Sequence, residues 1–258
     1  MNTLDRSTPN PKVVSRDEWL VARKAHLARE KELTHLQEQL SAERREMPWV
    51  EVDKDYGFEG PNGRETLSGL FDGRSQLIVY HFMFGPDWKE GCAGCSFLSD
   101  HIDGANLHLA NHDVTLLAVS RAPYAEFQDF KQRMGWAFKW VSSAGSDFNA
   151  DYHVYASETE IAAGRHEYNY ALHDGAADEH HGISVFYKNP DGRIFHTYSS
   201  YARGVDILIG THQFLDLTPK GRNEHSTMDW VRLHDRYEDR PAKKVGQASQ
   251  SAHSCCAD

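Results

Sequence analysis

A chain of 258 residues that is 40% apolar, with six Trp, eleven Tyr and twelve Phe, can bury a full core; at about 150 residues per domain it amounts to between one and two units. Its net charge of −10 gives no general attraction to phosphate backbones or anionic lipid, so nucleic acid and membranes are set aside as partners. The longest apolar run, Leu77 to Phe84, is far short of a membrane span, and Met1 to Lys12 holds no apolar stretch of export-signal length, so a cytoplasmic protein with reduced thiols is expected.

Residues 1–14 read as a flexible N-terminus. Ser15-Arg16-Asp17-Glu18 is a capping box that starts a helix, which runs through Trp19, Leu27, Leu33, Leu36 and Leu40 to about Glu46, where Met47-Pro48 ends it. This extension, 15–46, reads first as a helix packed over its own domain and second as a docking helix for a homodimer. From Trp49 strand and helix patterns alternate. Val50 to Val52 is a short strand, Leu77 to Phe84 a strand covered on both faces, Ser96 to Asn111 a helix and Asp113 to Val119 a second apolar strand, which together make a parallel right-handed βαβ unit. Pro123 suits the first turn of a helix that stops at Gly135, and Phe138 to Ser142 adds an edge strand. Ile183 to Lys188, the turn Asn189-Pro190-Asp191-Gly192, and Arg193 to Tyr198 form a hairpin, and Val205 to Phe214 a closing helix. The order predicts an α/β layer fold with a mixed central sheet. Tyr152 to Gly182, too long for a simple connection, is an insertion before the final hairpin, lying near whatever that hairpin faces. From about residue 238 the chain reads as a disordered tail in which Cys255 and Cys256 are incidental thiols.

Cys92-Ala93-Gly94-Cys95 falls between the strongest strand and the helix after it. A bare C-x-x-C is weak evidence, but at the carboxyl end of a buried parallel strand and the start of a helix it has a physical use. Free backbone amides and the helix dipole stabilise a thiolate there. Cys92 is therefore the expected nucleophile. Cys95, one turn further in, attacks the mixed disulfide made at Cys92 and closes an internal disulfide.

Further segments surround that pair: Met47-Pro48-Trp49-Val50, Gly57-Phe58-Glu59-Gly60-Pro61, Gln76 to Phe84, Val119-Ser120-Arg121-Ala122-Pro123, Met134-Gly135-Trp136, Gly145-Ser146-Asp147-Phe148-Asn149 and Tyr198-Ser199-Ser200-Tyr201-Ala202-Arg203-Gly204. With them the chain resembles, from Ser15 to Tyr237, the bacterial thioredoxin-like proteins catalogued as domain of unknown function eight-nine-nine, whose members carry the label predicted dithiol-disulfide isomerase. The resemblance implies a thioredoxin-like three-layer fold over residues 47–237. Compared with ordinary thioredoxins, Gly91 stands where they carry Trp before the first cysteine, with Trp88 offset, and Ser184 stands where they carry a cis-proline. Both positions touch the substrate groove, so Trp88 and Ser184 are expected near the substrate. Tyr80 and His81 occupy the neighbourhood where thioredoxins place a buried acid, and His81 has the better intrinsic pKa for shuttling a proton.

Arg121 and Arg203, near strand ends, are candidates for holding an anionic ligand. His180 and His181 precede the strand expected to face the cysteines, and with both thiolates would make a Cys2His2 zinc set; a solvated loop is the simpler reading. Asp147, Asn149, Asp151 and Glu158 mimic a calcium loop, but Tyr152 stands where its sharp turn needs Gly. No cofactor is expected. The expected activity is thiol–disulfide exchange with a protein or small-molecule partner. A peroxiredoxin-like peroxidase is second, weakened because Lys89 stands where a hydroxyl residue should precede the cysteine, and a metal-binding protein is third.

Overall fold

The computed structural model describes residues 10–174 and 179–238. In chain order the elements are α1 (Arg16–Glu46), β1 (Val50–Glu51), β2 (Gly57–Gly60), β3 (Gly63–Thr66), α2 (Leu67–Leu70), β4 (Gln76–His81), α3 (Ala93–Ser99), α4 (Ile102–Asn111), β5 (Val114–Ser120), α5 (Gln128–Met134), β6 (Trp140–Ser142), α6 (Phe148–Asp151), α7 (Glu158–Ala163), β7 (Arg165–Tyr168), β8 (Ala171–Asp174), β9 (Gly182–Lys188), β10 (Ile194–Tyr201) and α8 (Gly210–Asp216). An eight-stranded sheet runs β1-β10-β9-β4-β5-β6-β2-β3, with β4, β5 and β6 parallel and β9 and β10 returning antiparallel; β7 and β8 form a separate pair.

The central strands are apolar on both faces because both faces are covered. Leu77 and Val79 of β4 join Phe58, Leu70, Phe71, Leu117, Phe148 and Phe186 on one side of the sheet. Tyr80 points to the other, where Phe82, Phe84, Phe97, Phe130 and Trp140 meet α3, α4 and α5. A βαβ half and a β-hairpin half sharing one sheet between two helical layers is the thioredoxin-like three-layer arrangement expected above. Among the described residues no helix is long and apolar enough to cross a membrane.

Several expectations need correcting. The helix read from Ser96 to Asn111 is two, since at Asp100 and His101 the side chains hold Trp136 Nε1 (2.8 Å) and Thr211 Oγ1 (3.0 Å) instead of continuing one axis. The strand near Ser142 is no edge: β6 lies between β5 and β2, because a hairpin the sequence reading passed over, β2–β3, turns at Pro61-Asn62 and adds beyond it. Gly63, the first residue of β3, closes that turn with φ +89°. The closing helix divides into a 3-10 stretch, Ala202–Leu208, and α8. Pro123 is the extended residue before a 3-10 turn, Tyr124–Phe127, rather than part of the helical turn itself.

The capping box of α1 forms as read, with the Ser15 hydroxyl accepting from the Glu18 N–H and the Glu18 carboxylate accepting from the Ser15 N–H (3.0 Å). No residue of α1 is buried, so the reading that it packs over its own domain does not hold. Its leucines and Trp19 stay exposed, and its C-terminal turn meets the body through Arg44 over the Tyr198 ring (4.6 Å). The tail with Cys255 and Cys256, like residues 1–9, lies outside the described residues.

Candidate active site

After β4 the chain stays on the sheet for one more step, the Phe82 N–H donating to Val119 O (2.9 Å), then leaves through a loop that ends where the Cys92 N–H donates to Met83 O (3.3 Å). Cys92 is the N-cap residue of α3, in extended conformation, and its carbonyl accepts from the N–H (2.9 Å) and hydroxyl (2.8 Å) of Ser96. Gly91 precedes it because nothing larger fits: a Cβ there would lie 2.6 Å from the Phe82 ring and 2.9 Å from that of Phe130. The Trp that thioredoxins carry at this place is excluded by those two rings.

The sulfurs are unequal. Cys92 is half-buried and Cys95 2% exposed, and both thiols are free. Hydrogen bonding from Cys95 is the main influence on Cys92; burial opposes it, the backbone amides of Cys95 and Gly94 add to it, and the net result is a thiol pushed down to about 6. Cys95 moves the other way, raised first by burial and then by its bond to Cys92 and the charge it carries. The Tyr80 hydroxyl, itself raised by burial, stays protonated and donates to the Cys95 sulfur, favouring a thiolate there when one forms.

A cavity of about 280 Å³ opens beside the pair. Tyr80, Cys92 and Cys95 line its base, Leu98, Val205, Ile209 and Met228 its apolar walls, and His181, Arg203 and Asp206 bring the polar groups. Tyr168, at the end of β7, holds two walls in place: its hydroxyl donates to His181 O (2.8 Å) and accepts from the Ala202 N–H (2.9 Å). The His181 Nε2 lies 3.2 Å from Ala202 O, which fixes the proton on Nε2 and leaves Nδ1 as an acceptor; burial lowers its pKa below 6.5 and keeps the ring neutral at pH 7.

Of the residues singled out in the sequence, Cys92, Cys95, Tyr80 and Arg203 meet at this cavity. His81 does not. Neighbouring strand residues point to opposite faces, so with Tyr80 on the sulfurs His81 lies across the sheet, fully buried, its Nε2 2.8 Å from Ser184 Oγ and its ring against Phe148 and Tyr152. Burial lowers its pKa to about 3, so it stays neutral at working pH. Ser184 is on that far side too, bonded to His81 and Ser199; its neighbour Ile183 is the residue opposite Tyr80. Trp88 packs toward Phe84 (ring centroids 6.4 Å apart). Arg121 pairs with the buried Glu179 (2.7 Å) and lies over the Tyr155 ring (4.1 Å), away from the cavity. His180 turns to His166 (2.9 Å) and stacks on Tyr168, leaving His181 alone at the sulfurs; among the described residues no group of three or more His, Cys, Asp or Glu could hold a metal ion. Lys54 joins Asp147 (2.9 Å) and Asp151 (2.7 Å), occupying the carboxylates of the apparent calcium loop.

The sequence reading missed Tyr168, Thr227 and Met228. The signal for the last two was present: Trp230, Val231 and Leu233 form an apolar group after a polar stretch, and they anchor the segment that brings Met228 over the site.

No curated protein matches the chain. Among solved structures it is similar to the peroxidoxin BcpB of Mycobacterium tuberculosis (12% identity, 63% of this chain and 94% of that one, TM-score 0.39). It is also similar to peroxiredoxin Q of Xanthomonas campestris (14%, 60% and 88%, 0.38) and to a secreted M. tuberculosis disulfide oxidoreductase homologous to E. coli DsbE (17%, 60% and 92%, 0.31). A family model matches residues 8–237, and the chain belongs to that family, described as bacterial protein of unknown function, DUF899.

Proposed function

We propose that the protein is a dithiol–disulfide oxidoreductase in which Cys92 attacks and Cys95 resolves. The observation that carries this reading is the placement of the two thiols, Cys92 half-buried at the start of α3 and Cys95 buried behind it, both lining one cavity with Tyr80; in keeping with it the first is pushed down to about 6 and the second raised. A thiolate at Cys92 attacks a disulfide sulfur, forming a mixed disulfide and releasing one thiolate. Cys95 then loses its proton and attacks the Cys92 sulfur, closing the internal disulfide and releasing the second. Tyr80 favours the transient Cys95 thiolate by donating its O–H, and the neutral His181, with Nδ1 free to accept, is the proton acceptor at the cavity wall.

The test is a single turnover of reduced protein carrying Cys255→Ser and Cys256→Ser, so that tail thiols do not count, against an aromatic disulfide whose thiolate absorbs visible light. The expected release is two thiolates per chain, none from added Cys92→Ser, and one from added Cys95→Ser with a mixed disulfide retained by mass. Full release from Cys92→Ser, or two thiolates from Cys95→Ser, overturns the proposal.

A further inference from the structure

The cavity beside the sulfurs is built for one kind of partner. Its volume, about 280 Å³, is at the lower edge of small-molecule pockets, which run from about 300 to 1,000 Å³. Its charged groups are already matched: Arg203 Nε lies 3.0 Å from Asp206 Oδ2, and Arg222, behind Asp206, is held by Asp216 (2.8 Å). The remaining lining is mostly apolar, its polar members Tyr80, His181 and Thr227 being uncharged, so a charged arm would find no counter-ion apart from the reactive Cys92 thiolate itself.

Its roof is equally specific. A Cβ on Gly94 would lie 3.5 Å from Met228 Sδ and 3.8 Å from Cys92 Sγ, so the thioether and the reactive sulfur flank the same small space. Met228 takes a left-handed conformation, φ +60°, that a side-chain-bearing residue rarely adopts. It is held there by its N–H bond to Glu224 (2.9 Å), by Trp230 against Phe97 (5.4 Å), and by the buried Val231 and Leu233. Further on, His234 joins Asp100 (2.6 Å) and Asp235 joins Arg133 (2.7 Å), fixing this strap across the active-site helix. Strain kept by such a set of contacts marks a position with a use.

We propose that the cavity takes one arm of a small, uncharged, apolar disulfide, and that Met228 holds the disulfides of folded proteins away from Cys92. The inference rests on the exchange reading above and names its substrate class. The step balances without a further reactant: R–S–S–R and the reduced pair give two R–SH and the Cys92–Cys95 disulfide. A folded protein brings chain on both sides of its disulfide, whereas Met228 of the strap and Ala202, Arg203, Val205 and Asp206 already line the cavity beside the pair.

Single-turnover rates of the reduced, tail-serine protein test this with dipropyl disulfide, cystamine, oxidised glutathione and insulin, each divided by its rate with free dithiothreitol. Dipropyl disulfide is expected to lead by about tenfold or more, the size of effect a close-fitting apolar pocket gives. Met228→Gly, which suits a φ of +60° and so relieves strain, is expected to erase most of that lead and to speed insulin reduction by about fivefold or more. Met228→Leu, similar in bulk, keeps the preference. Equal normalised rates, a lead for a charged disulfide or insulin, or an undiminished preference in Met228→Gly overturns the inference while leaving exchange at Cys92 intact. Failure of all four disulfides overturns the exchange reading itself, and this inference with it.

Discussion

Alkylation of Cys92 by iodoacetamide, measured in the Cys255→Ser, Cys256→Ser background, is expected to titrate with a midpoint near pH 6 and to flatten above about pH 7. An ordinary thiol near 9.0 would still be climbing at pH 8. The populations and the intrinsic reactivity pull in opposite directions. At pH 5 the lowered thiol holds about 900 times more thiolate, but a Brønsted slope of about 0.4–0.5 over three units takes back a factor of about 16–32. The net gain is about 30- to 60-fold at pH 5 and only about three- to sixfold at pH 7. The shape of the profile is therefore the measurement, and a rate at neutral pH alone would miss the effect. Because the bond from Cys95 is the largest cause, Cys95→Ala is expected to move the midpoint up, while Cys95→Ser, which keeps a donor, leaves it nearer 6. An unmoved midpoint in Cys95→Ala would transfer the cause to the amides of α3. The sign carries over to folding: a depressed pKa stabilises the reduced fold fully above the unfolded value of about 9, and that contribution is lost as pH falls through about 6.

Trp140→Ala is expected to remove about 3–5 kcal/mol of stability, read as a lower urea midpoint at an unchanged slope. Trp140 is 1% exposed and stacks on Phe127, centroids 4.5 Å and planes 20° apart, with Phe82 also at 4.5 Å. Phe84, Phe130, Trp136 and Phe138 complete the ring of neighbours, each within 6.5 Å. Rings of this size cannot collapse into the space an indole leaves, so the cavity persists and its cost adds to the lost burial. The hydrogen bond matters less: Trp140 Nε1 donates to Ser120 Oγ (2.9 Å), and Ser120 retains Phe82 O (2.7 Å) as partner when the indole goes. Trp140→Phe should therefore cost clearly less than Trp140→Ala. A loss below about 1 kcal/mol for Trp140→Ala would mean that the cluster re-packs.

The parts of this protein that could be read from sequence are those whose signal is local. The Ser15–Glu18 box, the turn at Asn189 to Gly192, the two apolar strands and the C-x-x-C after the first of them each carry their own chemistry, and each stands where it was expected. What escaped depends on choices that a run apolar on both faces cannot encode. Tyr80 and His81 are adjacent, only one can face the sulfurs, and the sequence favoured the imidazole for its pKa while the pleat chose the phenol. The same one-residue ambiguity exchanged Ser184 for Ile183. Gly91 could be seen only as a missing Trp, because the Phe82 and Phe130 rings that forbid a side chain there are brought in from β4's end and from α5. The strap through Met228 is half legible: the apolar Trp230, Val231 and Leu233 mark an anchored segment, but its crossing of a helix that begins at residue 93 is tertiary in origin.

The matched pair Arg203–Asp206 at the cavity mouth has a kinetic consequence. A chain of net charge −10 surrounds itself with a field that slows the approach of anions at low ionic strength and fades once the screening length shrinks to about 8 Å near 0.15 M salt. Encounter with an anionic thiol compound should therefore quicken as salt is added, whereas an uncharged compound meets no such barrier at a mouth whose own charges cancel. For an uncharged disulfide, then, the exchange rate is expected to stay nearly level across a salt series over which the rate with an anionic one rises.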